Sequence, residues 1–188
     1  MKASKFIILA AGILGLLAFF LPLVAVKDSG VKGALSAFQI VKGLDGAQDQ
    51  VSANAKELDV QLAAMNTTVN GRAATSKDAN EALGAVKGVV MAIFAPALLL
   101  AIIGGIAASR KKLGRLGGFG ALFFGLIGLA IWAILNAAAN EVATGAGGGD
   151  VKGLGMWMLM LTGLGGVVGG LLALVKPDRG LAATPAKA

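Results

Sequence analysis

The sequence predicts an all-α membrane protein of four transmembrane helices, with a small, mainly helical extracytoplasmic domain between helices 1 and 2. Three observations carry this. Four apolar stretches, 6–26, 88–108, 116–139 and 153–175, each exceed twenty residues and contain no charged side chain. A helix rises about 1.5 Å per residue, so each stretch crosses a hydrocarbon core of roughly 30 Å. The 188 residues are 56% hydrophobic with a mean hydropathy of +0.80, which leaves no length for a large soluble domain beside the spans. The third observation is how the charge is sorted. The termini and the turn from Arg110 to Arg115 hold nine basic residues against Asp178 alone, whereas the first and last loops hold eight basic residues against nine acidic.

By the positive-inside rule this sorting places both termini and the basic turn in the cytoplasm, in a multi-pass protein of the inner membrane. The net charge of +7 therefore reads as topology, and no nucleic-acid partner is expected. Membrane lipids are the expected surroundings, and the basic clusters also suit anionic head groups. Cysteine and histidine are both absent, which excludes disulfides, thiolate or imidazole ligands and His or Cys catalysis. Residues 1–188 read as one four-helix membrane domain with an extracytoplasmic insertion at 27–87 and a cytoplasmic tail at 176–188.

Segment one is too long for the apolar core of a secretory signal, which runs to about 15 residues, and it carries Pro22 near its outer end, where a proline ends or bends a helix. Val24-Ala25-Val26-Lys27 and Val31-Lys32-Gly33-Ala34-Leu35 flank Asp28-Ser29-Gly30, a pattern for a short β-hairpin just above the membrane. Asp45 with Gln48 has the form of a capping box, so a helix is expected over 46–66. Within it Val51, Ala55, Leu58, Leu62 and Met65 recur at spacings of four and three, an apolar stripe that needs a partner.

A second capping box, Thr75 with Asp78, opens a helix expected to run unbroken over 76–108, bent at Pro96. At about 50 Å it outreaches the bilayer, and its projecting turns are the expected partner of the stripe, in an antiparallel pair turned at Asn70-Gly71. The turn at 110–115 makes segments two and three antiparallel neighbours, and the glycine-rich loop at 140–152 suits a flexible outer connection.

The spans offer no chemistry. Ionisable groups at membrane depth are expensive and are kept for a purpose, and the four apolar cores contain none; Asn136 and Thr162 are their deepest polar residues and read as interhelical hydrogen-bond partners. Outside the spans, Asp45 with Asp49 and Asp78 with Glu81 share helical faces but lie at expected helix starts, where capping explains them. No catalytic residue, cofactor or metal is predicted. The triplet at Asn66 fits a glycosylation acceptor, and a fourfold Val-Lys-Gly, at 31, 41, 86 and 151, reads as compositional coincidence.

Small residues are the stronger signal. Ala97, Ala101 and Gly105 lie four apart in segment two, Gly117, Ala121 and Gly125 in segment three, and Gly165 with Gly169 in segment four, where Gly166 and Gly170 repeat the spacing one residue on. Such rows let helix backbones approach closely in lipid. The doubling in segment four raises the expectation that one row packs inside the bundle and the other against a second protomer.

An inward N-terminus, long first outer loop, short inner turn, brief second outer loop and inward tail resemble the claudin-like tetraspan layout. The cysteine and aromatic signature of the claudin outer loop is missing, since neither Trp132 nor Trp157 lies there. Leu21-Pro22-Leu23-Val24-Ala25-Val26 followed by Leu35-Ser36-Ala37-Phe38-Gln39 is similar to small bacterial inner-membrane proteins whose first helix ends in a Leu-Pro step before a β-like stretch. The likeness implies no activity. The function expected from these features is a non-catalytic membrane subunit or scaffold that assembles with itself or with other membrane subunits, docking through Val51, Leu58, Leu62 and Met65 and through the glycine rows. An oligomeric channel or small-solute permease is the alternative, against which the apolar lining speaks.

Overall fold

The computed structural model of the protein describes residues 3–28, 31–109, 115–145 and 151–175. The expected tail at 176–188, the basic turn at 110–114, most of the outer glycine run and Ser29-Gly30 lie outside the described residues. The chain is mostly helical, and four helices are long and apolar enough to cross a membrane, Ala3–Phe20, Ser76–Ser109, Arg115–Glu141 and Leu154–Val175, which supports a multi-pass membrane protein. It divides into two compact units, one of Met1–Ser36 with Ile93–Ala188 and one of Ala37–Ala92.

In the first unit, α1 (Ala3–Phe20) stops six residues before the apolar run does. Pro22 is the reason: it disfavours helical backbone at Leu21 and has no N–H to continue the ladder. The chain turns instead into β1 (Pro22–Asp28), antiparallel to β2 (Val31–Ser36), the hairpin that the flanking patterns predict. The other edge of β1 is also paired. The Ala25 N–H donates to the Val151 carbonyl and the Gly153 N–H to the Leu23 carbonyl, both at 2.9 Å, so residues 151–153, expected as the end of the outer loop and the start of segment four, cover an edge that would otherwise stand open.

α5 (Ala95–Ser109), α6 (Arg115–Gly145) and α7 (Leu154–Val175) complete this unit, in which α1 packs on α5 and α7, and α6 packs on α7 and α5. Each helix thus has two principal neighbours, the arrangement of a four-helix bundle. The helix expected over 76–108 is interrupted at Phe94, between α4 (Ser76–Ile93) and α5. Pro96 cannot donate to the preceding turn, and the ladder resumes with the Leu98 N–H on the Phe94 carbonyl at 3.1 Å. Phe94 is buried edge-on against Phe19, ring centroids 5.1 Å apart.

In the second unit the helix expected over 46–66 is two helices, α2 (Ala37–Ala53) and α3 (Ala55–Ala64). It begins nine residues early because nothing after Ser36 breaks it, so Asp45 is mid-helix and does not cap. At the break Asn54 leaves the helical region (φ −108, ψ 25), flanked by bonds from its own N–H to the Gln50 carbonyl and from the Leu58 N–H to its carbonyl, both 3.0 Å. α3 ends on Asn66 in the left-handed region (φ 49), with the Thr67 N–H on the Leu62 carbonyl and the Asn66 N–H on the Ala63 carbonyl, the two bonds of a Schellman motif. Asn70 (φ 52) and Gly71 (φ 78) then close a two-residue hairpin of β3 (Thr68–Val69) and β4 (Arg72–Ala73), a turn that needs positive φ at both positions.

Candidate helix-packing interfaces

Between helices in lipid there is no hydrophobic force, since acyl tails are as apolar as leucine; association comes from close van der Waals contact. α7 makes such contact on two sides. A Cβ placed on Gly165 would lie 2.7 Å from Ala11 Cβ, and one on Gly169 would lie 2.6 Å from Ile8 Cγ1 and 3.3 Å from the Ser4 carbonyl oxygen, so this row seats α1. One placed on Gly166 would lie 2.8 Å from Gly125 Cα, and one on Gly170 2.5 Å from the Leu122 nitrogen, so the second row seats α6. Neighbouring residues point about 100° apart on a helix, which is how two adjacent rows serve two partners. Both rows are occupied within one chain, so the doubling does not imply a protomer contact.

The α1–α5 contact is built likewise. Ala97 faces Gly15, Ala101 faces Gly12, and a Cβ on Gly104 would lie 2.5 Å from the Leu9 nitrogen, whereas one on Gly105 would meet nothing within 4 Å. The packed glycine of segment two is therefore Gly104, one residue from the expected Gly105. In α6 the buried row is Gly118, Ala121 and Gly125, with Gly118 against Ala173, while the expected Gly117 is only half-buried. Ile8 and Leu100, both 0% exposed, fill the middle with Ala107, Ala121 and Ala173.

Gly12 and Gly15 escaped the sequence reading although Ala11, Gly15 and Ala18 show the same three-to-four spacing in segment one. Gly155 had no such signal: a Cβ there would lie 2.9 Å from the Leu21 carbonyl oxygen and 3.0 Å from that of Ala18. The start of α7 thus abuts the end of α1, where opposed helix dipoles attract.

Thr162 and Lys5 differ from expectation. Thr162 is buried but donates to the Met158 carbonyl of its own helix at 2.8 Å, the local bond that a helical threonine makes most easily, and it gives no interhelical bond. Asn136 is half-buried on α6. Lys5, expected among the solvated charges, falls inside α1 and is 3% exposed, its ammonium 5.4 Å from the Phe6 ring centroid; α1 starts three residues before the apolar run and carries it into the packed end.

In the second unit α2 and α3 run antiparallel to α4, as expected, but the bonds between them are polar. Lys87 pairs with Asp45, Gln48 Nε2 donates to the Asn80 carbonyl at 3.1 Å, Asn80 Nδ2 to Ser52 Oγ at 3.0 Å, and the Ser76 N–H to Asp59 Oδ1 at 2.6 Å. Asp45, Gln48, Ser52 and Asp59 form a helical row roughly a quarter turn from the apolar stripe. The stripe lies beside this row: Val51, Leu58 and Leu62 are half-buried, Met65 is 65% exposed, and Val51 and Leu58 line a shallow groove with Gln50, Asn54, Glu57 and Gln61.

The Thr75 and Asp78 capping box forms as predicted. Asp78 Oδ2 accepts from the Thr75 N–H at 2.9 Å and from its hydroxyl at 2.7 Å, and Arg72 donates to both carboxylate oxygens, at 2.9 and 2.5 Å. Asp78 lies ten residues ahead of the apolar run that starts at Gly88. The Arg72 guanidinium, then the Thr75 donors, hold its carboxyl down at about 2. Among the described residues no group of three or more acidic side chains is placed to hold a metal ion. No family model matches the chain, and neither curated proteins nor solved structures give a match.

Proposed function

We propose that this chain is a non-catalytic integral membrane subunit or scaffold that assembles with itself or with other membrane proteins. The observation that carries the reading is the interior of the membrane unit. Gly166 lies against both Gly125 and Leu100, and Ile8 and Leu100 are fully covered, so the space between the helices is filled by backbone and aliphatic side chains. A conduction path needs wet or carbonyl-lined surface along its length, and catalysis needs ionised or nucleophilic groups brought together. What the chain offers a neighbour is surface: the apolar faces of its helices and the half-exposed stripe on α2 and α3.

On the same reading both termini and the basic turn face the cytoplasm, and residues 27–87 lie outside the inner membrane. Mild extraction from the native membrane is expected to yield a stable complex, as a homo-oligomer or with other membrane proteins, and reconstituted vesicles are expected to show no solute flux above lipid alone. A strict monomer with no co-purifying partner removes support for the proposal, and flux in vesicles turns it toward a channel.

A further inference from the structure

We infer that the first turn of α1 binds a phosphate group, carried by the head group of an anionic phospholipid, and that Lys5 holds it. This goes beyond the assembly reading and stands without it. Lys5 is 3% exposed, and among the described residues the group found against its ammonium is the Phe6 ring, 5.4 Å away, which offers no lone pair. An ammonium carries three N–H donors, and burying it without an acceptor is expensive. The helices of its own bundle supply no opposite charge at this end: α1, α5 and α7 contain no aspartate or glutamate, and the single acid of α6, Glu141, lies at its far end. A buried cation so placed calls for an anion from outside.

The surroundings fit a phosphate. Gly104 packs on Leu9, so one turn towards the N-terminus Lys5 comes level with Ala108 at the end of α5, while the Ser4 carbonyl oxygen lies against Gly169 of α7. The first turn of α1 therefore sits between the ends of two helices, with Ser4, 5% exposed, and Lys5 both covered there. Helical side chains lean towards the N-terminus, which carries the ammonium to the end of the bundle, where first-turn N–H groups and the positive end of the helix dipole also favour an anion. Lys5 Nζ is not among the enclosed, unpartnered polar atoms of the described residues, which are Asn80 Oδ1 and Trp132 Nε1, so it reaches an opening. Lipid adjoins that opening. Phe6, the next residue, is 54% exposed on a helix apolar enough to cross a membrane, and the ends of such helices lie at the depth of the head groups. The segments that flank these helix ends in sequence hold nine basic residues against Asp178, which favours an anionic lipid over a zwitterionic one.

Native mass spectrometry of the full-length protein, released from nanodiscs of phosphatidylglycerol and phosphatidylcholine in equal parts, reads the lipid that each chain retains. The parent is expected to keep phosphatidylglycerol in preference to phosphatidylcholine. Lys5→Met, which keeps the stem and removes the charge, is expected to weaken that retention by at least about tenfold, and Lys5→Arg to keep most of it. Arg115→Met removes an exposed charge from the start of α6, at the same end of the bundle, and is expected to change retention by less than about twofold. Equal losses in Lys5→Met and Arg115→Met would mean diffuse attraction and overturn the site, as would a parent with no preference between the two lipids. A preference that emerges only in Asp178→Asn would make Asp178 the counter-ion of Lys5 and also overturn the inference. Inorganic phosphate titrated into lipid-free protein in a neutral detergent separates the two sources: it is expected to bind weakly and to be displaced by short-chain phosphatidylglycerol, whereas Lys5-dependent binding that this lipid does not displace overturns the lipid as the source. Helicity by circular dichroism checks that each variant folds, and the selectivity of the parent tests the site even where one does not.

Discussion

Where α6 meets α7, Gly125 and Gly166 bring two backbones together with almost nothing between them; where α2 and α3 meet α4, the join runs through an amide, a hydroxyl, carboxylates and an ammonium. The two units solve the same problem, holding helices side by side, in opposite ways. In lipid the unpacked alternative of an apolar helix is contact with acyl chains, so only closer packing favours association, and the smallest residues allow the closest approach. The bonds of the second unit are of a kind that water would replace at little loss, and the Lys87 and Asp45 pair is half open to solvent. The difference teaches where each unit is vulnerable. Where its helices touch, the first has no room for an added methyl; the second has little apolar interior, with Ala37 and Ala74 its only buried apolar residues among those described.

The sharpest way to break this contrast is a pair of neighbouring substitutions. Gly104→Ala puts a methyl 2.5 Å from the Leu9 nitrogen, which no rotamer change relieves, and is expected to destabilise the protein by about 1–3 kcal/mol. Gly105→Ala enters open space and is expected to stay within about 0.5 kcal/mol of the parent. Thermal unfolding in detergent measures both, and equal responses would mean that backbone proximity does not hold the bundle.

A smaller effect is expected from Gly71→Ala. Its φ of +78° is strained for any residue with a Cβ, at about 1–2 kcal/mol, and the loss should stay local. Hydrogen exchange is expected to accelerate over 66–76 and to leave α5, α6 and α7 unchanged; acceleration in the spans would show that the units unfold together.

The smallest effect is set by pH. Asp78 is held at about 2 against an ordinary value of 3.8, so its cap contributes stability above pH 4 that is lost as the pH falls toward 2. The Thr75 amide and the first turn of α4 are expected to exchange faster across that window, once the intrinsic pH dependence is removed. Asp78→Asn is expected to exchange fast throughout and to lose the pH response. A parent protein with no transition there would show that the cap does not hold the helix start.

Much of the architecture was legible because its signals are local. The spans follow from uninterrupted apolar runs, the end of α1 from Pro22, the turn at Asn70-Gly71 from two residues that tolerate positive φ, and the start of α4 from Thr75 with Asp78, whereas Pro96 pointed to a bend in a continuous helix and the helix breaks at Phe94. Capping signals are local too, yet Asp45 misled, because a carboxylate suited to a helix start is equally at home mid-helix once Lys87 stands beside it. The antiparallel pairing of α2 and α3 with α4 was legible too, but the hydrogen bonds that join them come from the polar row beside the stripe, whose Val51, Leu58 and Leu62 are half-buried.

By itself the sequence determined which segments prefer hydrocarbon to water and which small residues are available to let helices touch, since composition and periodicity are properties of a single element. Tertiary structure alone decided between Gly104 and Gly105, or Gly118 and Gly117, and sent the rows of Gly165 and Gly166 to different partners. Adjacent residues on a helix differ by about 100° in direction and by nothing in composition, so only the position of the neighbouring helix selects between them.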